Sequence, residues 1–221
     1  MGNAPLLQGL AALIAGAFLA GPALAHPHVW ITSKAEIAYG EGGRVTGIRH
    51  AWTFDASYSA FLTQGLDKNG DGRLTPDELA GSAAENTANL AEFAYFTKLK
   101  VAGKEQAFAD PTEPRMAMEG DKLTLSFLLP LKVPALQGRG VAALEIYDPT
   151  YLISFSLSEA ADAARLTGAP AGCAATVTRP KTPEPAAAAA KPGMSEAFFE
   201  ALTTASTYGI QFANRILVAC P

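Results

Sequence analysis

Cysteine, histidine and basic charge are all scarce in this chain of 221 residues, and each scarcity closes off a class of function. The two cysteines, Cys173 and Cys220, are too few for a disulfide-dense scaffold and lack the CxxC spacing of a zinc ribbon or a thioredoxin-like site. Seventeen basic residues against 21 acidic ones give a net charge of -4, which leaves no positive excess to follow a phosphate backbone. Nucleic acid is therefore not expected as a partner. There is no GxSxG elbow, P-loop, HExxH helix or strand-flanked GxGxxG, so no catalytic activity is expected either. What remains, 49% hydrophobic and 17% charged residues, is the composition of an ordinary globular domain.

The first 25 residues carry no charge, run apolar from Leu10 to Leu19 and end on Ala23-Leu24-Ala25, a small-x-small site of the kind a signal peptidase accepts. Gly16, Gly21 and Pro22 interrupt the stretch before it reaches the roughly 20 apolar residues a membrane span needs. Residues 1–25 are read as a secretory signal, which places the remainder in the periplasm. In that oxidising compartment Cys173 and Cys220 are expected to pair.

Residues 29–54 alternate around Gly40-Glu41-Gly42-Gly43, the pattern of a β-hairpin. A two-residue turn closed by Gly40 and Gly43 predicts that Tyr39 faces Arg44, Ile37 faces Thr46 and Ile31 faces Trp52. Val29, Ile31, Ala35, Ile37, Ile48, Trp52 and Phe54 then share one face. His28, Thr32, Lys34, Glu36, Arg49, Thr53 and Asp55 share the other.

A helical segment over residues 56–66 leads into DKNGDGRLTPDE, a twelve-residue run with EF-hand spacing. Asp67, Asn69 and Asp71 supply oxygens at positions 1, 3 and 5, and Gly72 allows the bend at position 6. Arg73 offers its backbone carbonyl at position 7, and Glu78 at position 12 can chelate through both oxygens. Calcium, which takes six to eight hard oxygen ligands, is the expected cofactor. A lone loop points to a structural site of modest affinity rather than cooperative sensing. Pro76-Asp77-Glu78 opens the exit helix, and residues 83–97 continue a helical face through Leu90, Phe93 and Ala94.

Strand-like stretches follow at 98–103, 121–133, 140–148 and 151–157, in the rhythm of antiparallel strands. The expected fold is α+β: a β-sandwich-like body over 26–178 with a helical insertion at about 56–97. A Pro/Ala-rich linker covers 179–193, and a C-terminal helix with a short strand occupies 194–221.

These landmarks together resemble domain-of-unknown-function family 1007. The resemblance is carried by Ala-His-Pro-His-Val-Trp-Ile, His50-Ala-Trp-Thr-Phe-Asp55, the Asp67–Glu78 loop, Asn89-Leu90 with Tyr95-Phe96-Thr97, Tyr147-Asp148-Pro149 and Phe212-Ala-Asn-Arg215. It implies the periplasmic component of an ABC-type transport system, in the neighbourhood of nickel/cobalt-type transporters. An inner-membrane transporter or another envelope protein is thus the expected partner.

For a transition metal, the candidate ligands are His26, whose amine and imidazole would both be free after cleavage, with His28 and Asp55. Pro27 has no amide proton to lose, which excludes the square-planar amino-terminal motif. His50 falls on the apolar face and reads as a core histidine. Asp148 reads as a turn residue or as a companion of Asp55. The chain is expected to be a periplasmic calcium-binding accessory or solute-binding protein of a transporter; the alternative is a non-catalytic envelope scaffold braced by calcium.

Overall fold

The computed structural model describes residues 27–180 and 208–221. The signal segment, His26, most of the linker and the expected C-terminal helix before Tyr208 lie outside the described residues. The fold is α+β, a sandwich of two sheets in which the α-helices among the described residues lie in the insertion.

Strands β1 (Val29–Gly40) and β2 (Arg44–Phe54) form the expected antiparallel hairpin. Its register differs from the prediction by two residues, because Ile31 faces Phe54 and Ile37 faces Ile48. The cause is local. The turn holds three residues, Glu41–Gly43, with Gly42 and Gly43 at positive φ, so Gly40 rather than Tyr39 pairs with Arg44. A bulge between Ala38 and Tyr39 adds the second residue of offset. An even offset leaves side chains on their faces, and every residue of the predicted apolar face is buried.

The first sheet runs β5 (Thr112–Glu119), β6 (Lys122–Leu136), β2, β1 and β8 (Ile153–Leu157), and β9 (Ala164–Thr167) also pairs with β1. The second sheet runs β10 (Ala174–Thr178), β11 (Asn214–Ala219), β7 (Val141–Ile146), β3 (Thr97–Val101) and β4 (Lys104–Glu105). One expectation is corrected here. Both β8 and β9 lie parallel to β1, along successive halves of its free edge. The chain reaches β8 from β7 in the opposite sheet, so no hairpin forces the pair to be antiparallel.

The core lies between the sheets. Ile37, Ile48, Trp52, Phe127 and Leu157 from the first sheet meet Leu99, Leu144, Ile146, Ile216 and Val218 from the second. Asn214 is buried between the sheets. Its Oδ1 accepts from the Leu157 amide at 3.0 Å, and its Nδ2 donates to the Phe155 carbonyl at 2.7 Å. Tyr39 and Gln137 make a second buried tie, with the phenol donating to Oε1 at 2.6 Å and Nε2 donating to the Val218 carbonyl at 2.9 Å. The expected disulfide, Cys173–Cys220, fastens the end of β11 to the start of β10.

The insertion between β2 and β3 carries helices α1 (Ala56–Thr63) and α2 (Pro76–Asn89). Asp55 caps α1 by accepting from the Tyr58 amide at 2.9 Å. Thr75 and Glu78 form a capping box on α2 with Pro76 in its first turn, and Leu79, Ala83 and Thr87 bury the face that lies against β5. The sequence predicted helix through residue 97. Instead α2 stops at Asn89, and a tight turn over Leu90–Phe96 breaks the helical geometry at Phe93 and brings Ala94 and Tyr95 into the left-handed region. Among the described residues no helix is long and apolar enough to cross a membrane.

Candidate functional site

The loop from Asp67 to Glu78 folds around its own carboxylates. Asp67 accepts amide protons from Gly70 at 2.8 Å and Gly72 at 2.9 Å, one on each oxygen. Asn69 Oδ1 accepts from the Asp71 amide, and Asp71 Oδ1 from the Arg73 amide. Gly72, at φ +78, makes the bend that position 6 requires. Leu74 packs against the core and anchors the loop's far side.

Glu78 returns the ring to its start. From the first turn of α2, its Oε1 accepts from the Lys68 amide at 3.1 Å, and its Oε2 accepts from the Thr75 amide and hydroxyl at 2.9 and 2.8 Å. The backbone hydrogen bond from Thr75, with the hydroxyl bond beside it, holds the Glu78 carboxyl below its ordinary pKa. Among the described residues no three His, Cys, Asp or Glu side chains stand together as a metal-binding group. The donor set of the loop is nonetheless all oxygen, which fits a hard cation and not a thiophilic one.

The candidate transition-metal ligands are not assembled by the described structure. Asp55 spends both oxygens on backbone amides, those of Tyr58 and, at 3.1 Å, Trp30. The His28 amide donates to the Leu152 carbonyl, and its side chain lines a separate pocket. Asp148 proves to be the turn residue. Its oxygens accept from the Thr150 amide and hydroxyl and from the Ile153 amide.

His50 is fully buried between the Trp52 and Phe127 rings. Thr97 Oγ1 donates to the Tyr95 carbonyl at 2.7 Å, so at 3.3 Å from His50 Nε2 it serves as the acceptor. The imidazole therefore carries its proton on Nε2. Among the described residues Nδ1 has no hydrogen-bond partner, and neither has the nearby Trp52 Nε1. Burial pushes the His50 pKa down to about 3. The expected core histidine is in place, with only half of its hydrogen bonding satisfied.

The pocket that His28 lines was not predicted. It has a volume of about 770 Å³ and lies between the open end of the hairpin, the insertion and the 148–153 turn. Val29, Ile31, Trp52, Phe54, Leu125 and Phe96 form its apolar floor, and Phe93 and Leu152 stand exposed at its rim. Ala94, Tyr95 and Phe96 on one side have φ of 48°, 56° and 48°, and Tyr151 beside the other wall has 59°. Left-handed backbone costs a non-glycine residue roughly 1–2 kcal/mol. Packing must offset that cost, and it does so at Phe96, whose ring lies against Trp52 and Phe155 and whose carbonyl accepts from the Tyr147 amide. The only sequence signal for this wall was the cluster of Phe93, Ala94 and Phe96 next to Asn89-Leu90.

Over 214 residues the chain is 23% identical to an uncharacterized protein of Haemophilus influenzae (strain ATCC 51907 / DSM 11121 / KW20 / Rd), covering 94% of this chain and 97% of that relative. Residues 11–220 match the family described as "Protein of unknown function (DUF1007)", and the chain belongs to that family.

Proposed function

We propose that this protein is a non-catalytic, calcium-binding component of the periplasm that serves an inner-membrane transport system as an accessory or solute-binding protein. The observation that carries the reading is the return of Glu78 onto Lys68, which brings position 12 of the Asp67–Glu78 loop back to its beginning. Asp67, Asn69, Asp71, the Arg73 carbonyl and Glu78 would hold the ion, which here supplies structural charge neutralisation and no chemistry. The affinity expected of a single loop is on the order of 0.1 to 1 mM, suited to an extracytoplasmic compartment.

Two further observations support the location and the role. The Cys173–Cys220 disulfide fits an oxidising compartment. The pocket beside the insertion favours a protein that carries something over a plain scaffold.

Calcium titration of the purified chain, followed by calorimetry and thermal unfolding, tests the reading. Calcium at 100 times its dissociation constant should stabilise the fold by about 2.7 kcal/mol. Glu78→Gln should remove most of that gain. An equal calcium response in wild type and variant refutes the proposal. Metal analysis of untagged protein from periplasm extends the test to cargo. A first-row transition metal that is retained by wild type and lost from a His26→Ala/His28→Ala variant would assign those histidines to the transported ion.

A further inference from the structure

We propose that the pocket between the hairpin and the helical insertion is a binding site for a small apolar organic molecule whose polar end is uncharged or cationic, and which bears no negative charge. The site stands apart from the calcium loop and needs no metal of its own.

Size is the first argument. About 770 Å³ lies within the range of sites that enclose a small organic ligand. The second is the character of the walls. Ile31, Trp52, Phe54 and Phe96 present a deep apolar surface, and an exposed Phe93, 54% accessible, stacks on Phe96 at the mouth with ring centroids 5.2 Å apart. A large aromatic left in water beside an apolar cavity is positioned to close over a guest.

The third argument concerns sign. Among the described residues no lysine or arginine lines the pocket. Of its polar donors, the Thr150 hydroxyl donates to Asp148 and Asn86 Nδ2 donates to Ser82, and the other donor groups that line it, on His28, Trp52, Tyr58 and Asn89, carry no permanent positive charge. Glu92 at the rim has no ion-pair or hydrogen-bond partner among the described residues. The unpaired charge at the rim is thus negative, and together with the aromatic faces it favours a cation or an uncharged polar group over an anion.

The left-handed backbone on both walls is independent of size and charge. Of the six described non-glycine residues at positive φ, Ala94, Tyr95, Phe96 and Tyr151 lie in the two segments that form the mouth. Costly backbone kept in a wall points to a shape that is needed.

The test is fluorescence titration of the full chain with N-phenyl-1-naphthylamine, which is uncharged, in calcium and again in chelator. Decyltrimethylammonium serves as a cationic competitor and 8-anilinonaphthalene-1-sulfonate as the anionic comparison. One probe should bind per chain in at least one of the two conditions, and the sulfonate should bind about tenfold more weakly or worse. Phe93→Ala, at an exposed position, should leave the melting temperature in place and weaken the uncharged probe by about tenfold. Glu92→Gln should weaken the cationic competitor by about threefold or more and leave the uncharged probe unchanged. Absence of saturable binding in both conditions, equal binding of the sulfonate, or an unaltered affinity in Phe93→Ala overturns the proposal. Because probe binding is read with and without calcium, its failure is distinct from failure of the calcium reading.

Discussion

Acidification should weaken this fold through His50, and the size of the effect follows from its surroundings. The ring is enclosed by Trp52, Phe127 and Thr97, and burial alone moves its pKa from an ordinary 6.5 to about 3. Among the described residues no partner for a second ring proton is present, because Nδ1 faces no acceptor. The sign is fixed by linkage. The unfolded chain takes up the proton near pH 6.5 and the folded chain only near 3, so the contribution of His50 is complete above 6.5 and is lost as pH falls from there toward 3. At pH 5 the loss is about 2 kcal/mol relative to pH 7.5, and below pH 3 it approaches about 5 kcal/mol. His50→Leu keeps most of the volume, removes the orphan nitrogen and leaves Thr97 its bond to the Tyr95 carbonyl. At pH 7.5 the variant should be as stable as wild type or slightly more so. Urea unfolding at pH 7.5, 6 and 5 gives the comparison. Carboxylates titrate in both proteins and cancel in the difference, which should grow by about 2 kcal/mol in favour of the variant at pH 5. Parallel pH profiles for the two proteins would refute the assignment of a buried, neutral His50.

Asn214→Ala should cost about 2–4 kcal/mol by urea unfolding, because it leaves the buried Leu157 amide and Phe155 carbonyl unpaired together; a cost below about 1 kcal/mol would mean that water replaces the side chain. Replacing Cys173 and Cys220 together by serine opens a closed loop with a sequence separation of 47 and should cost roughly 4 kcal/mol on chain-entropy grounds, read as a lower urea midpoint.

The faces of the hairpin were legible in the sequence and its register was not, for one physical reason. Alternation has a period of two, so it assigns Ile31, Ile37, Ile48 and Trp52 to the core whichever even offset the strands adopt. The offset itself depends on whether the turn after Gly40 holds two residues or three and on a bulge at Ala38/Tyr39, neither of which leaves a mark in the hydrophobic pattern. Strand direction was hidden in the same way. The segment 151–157 reads as a strand either way, and only its arrival from the opposite sheet sets β8 parallel to β1. The segments that became β5, β9 and β10 went unread. Pro114 interrupts the first, and the last two alternate between half-buried and exposed positions with no fully buried one.

The two candidate sites divide along the same line. The Asp67–Glu78 loop is a local object, with ligand types fixed at sequential positions, so spacing alone announces it and the structure adds the closure by Glu78. The pocket is assembled from residues far apart in the chain, and its decisive wall exists because Leu90–Phe96 abandons the helix that its composition favours. That departure has a common cause with the anchoring of Phe96. A continued helix would turn Phe96 away from Trp52 and Phe155, and the left-handed turn returns its ring to the core at the cost of strained backbone. The pocket is thus the space left beside a helix cut short so that one aromatic can be buried. Asn86 and Asn89 on α2 line it, and Glu78 caps that same helix, so the strut that begins at the Asp67–Glu78 loop ends at the pocket wall. An ion that braces the first turn of α2 would steady that wall without touching what the pocket holds.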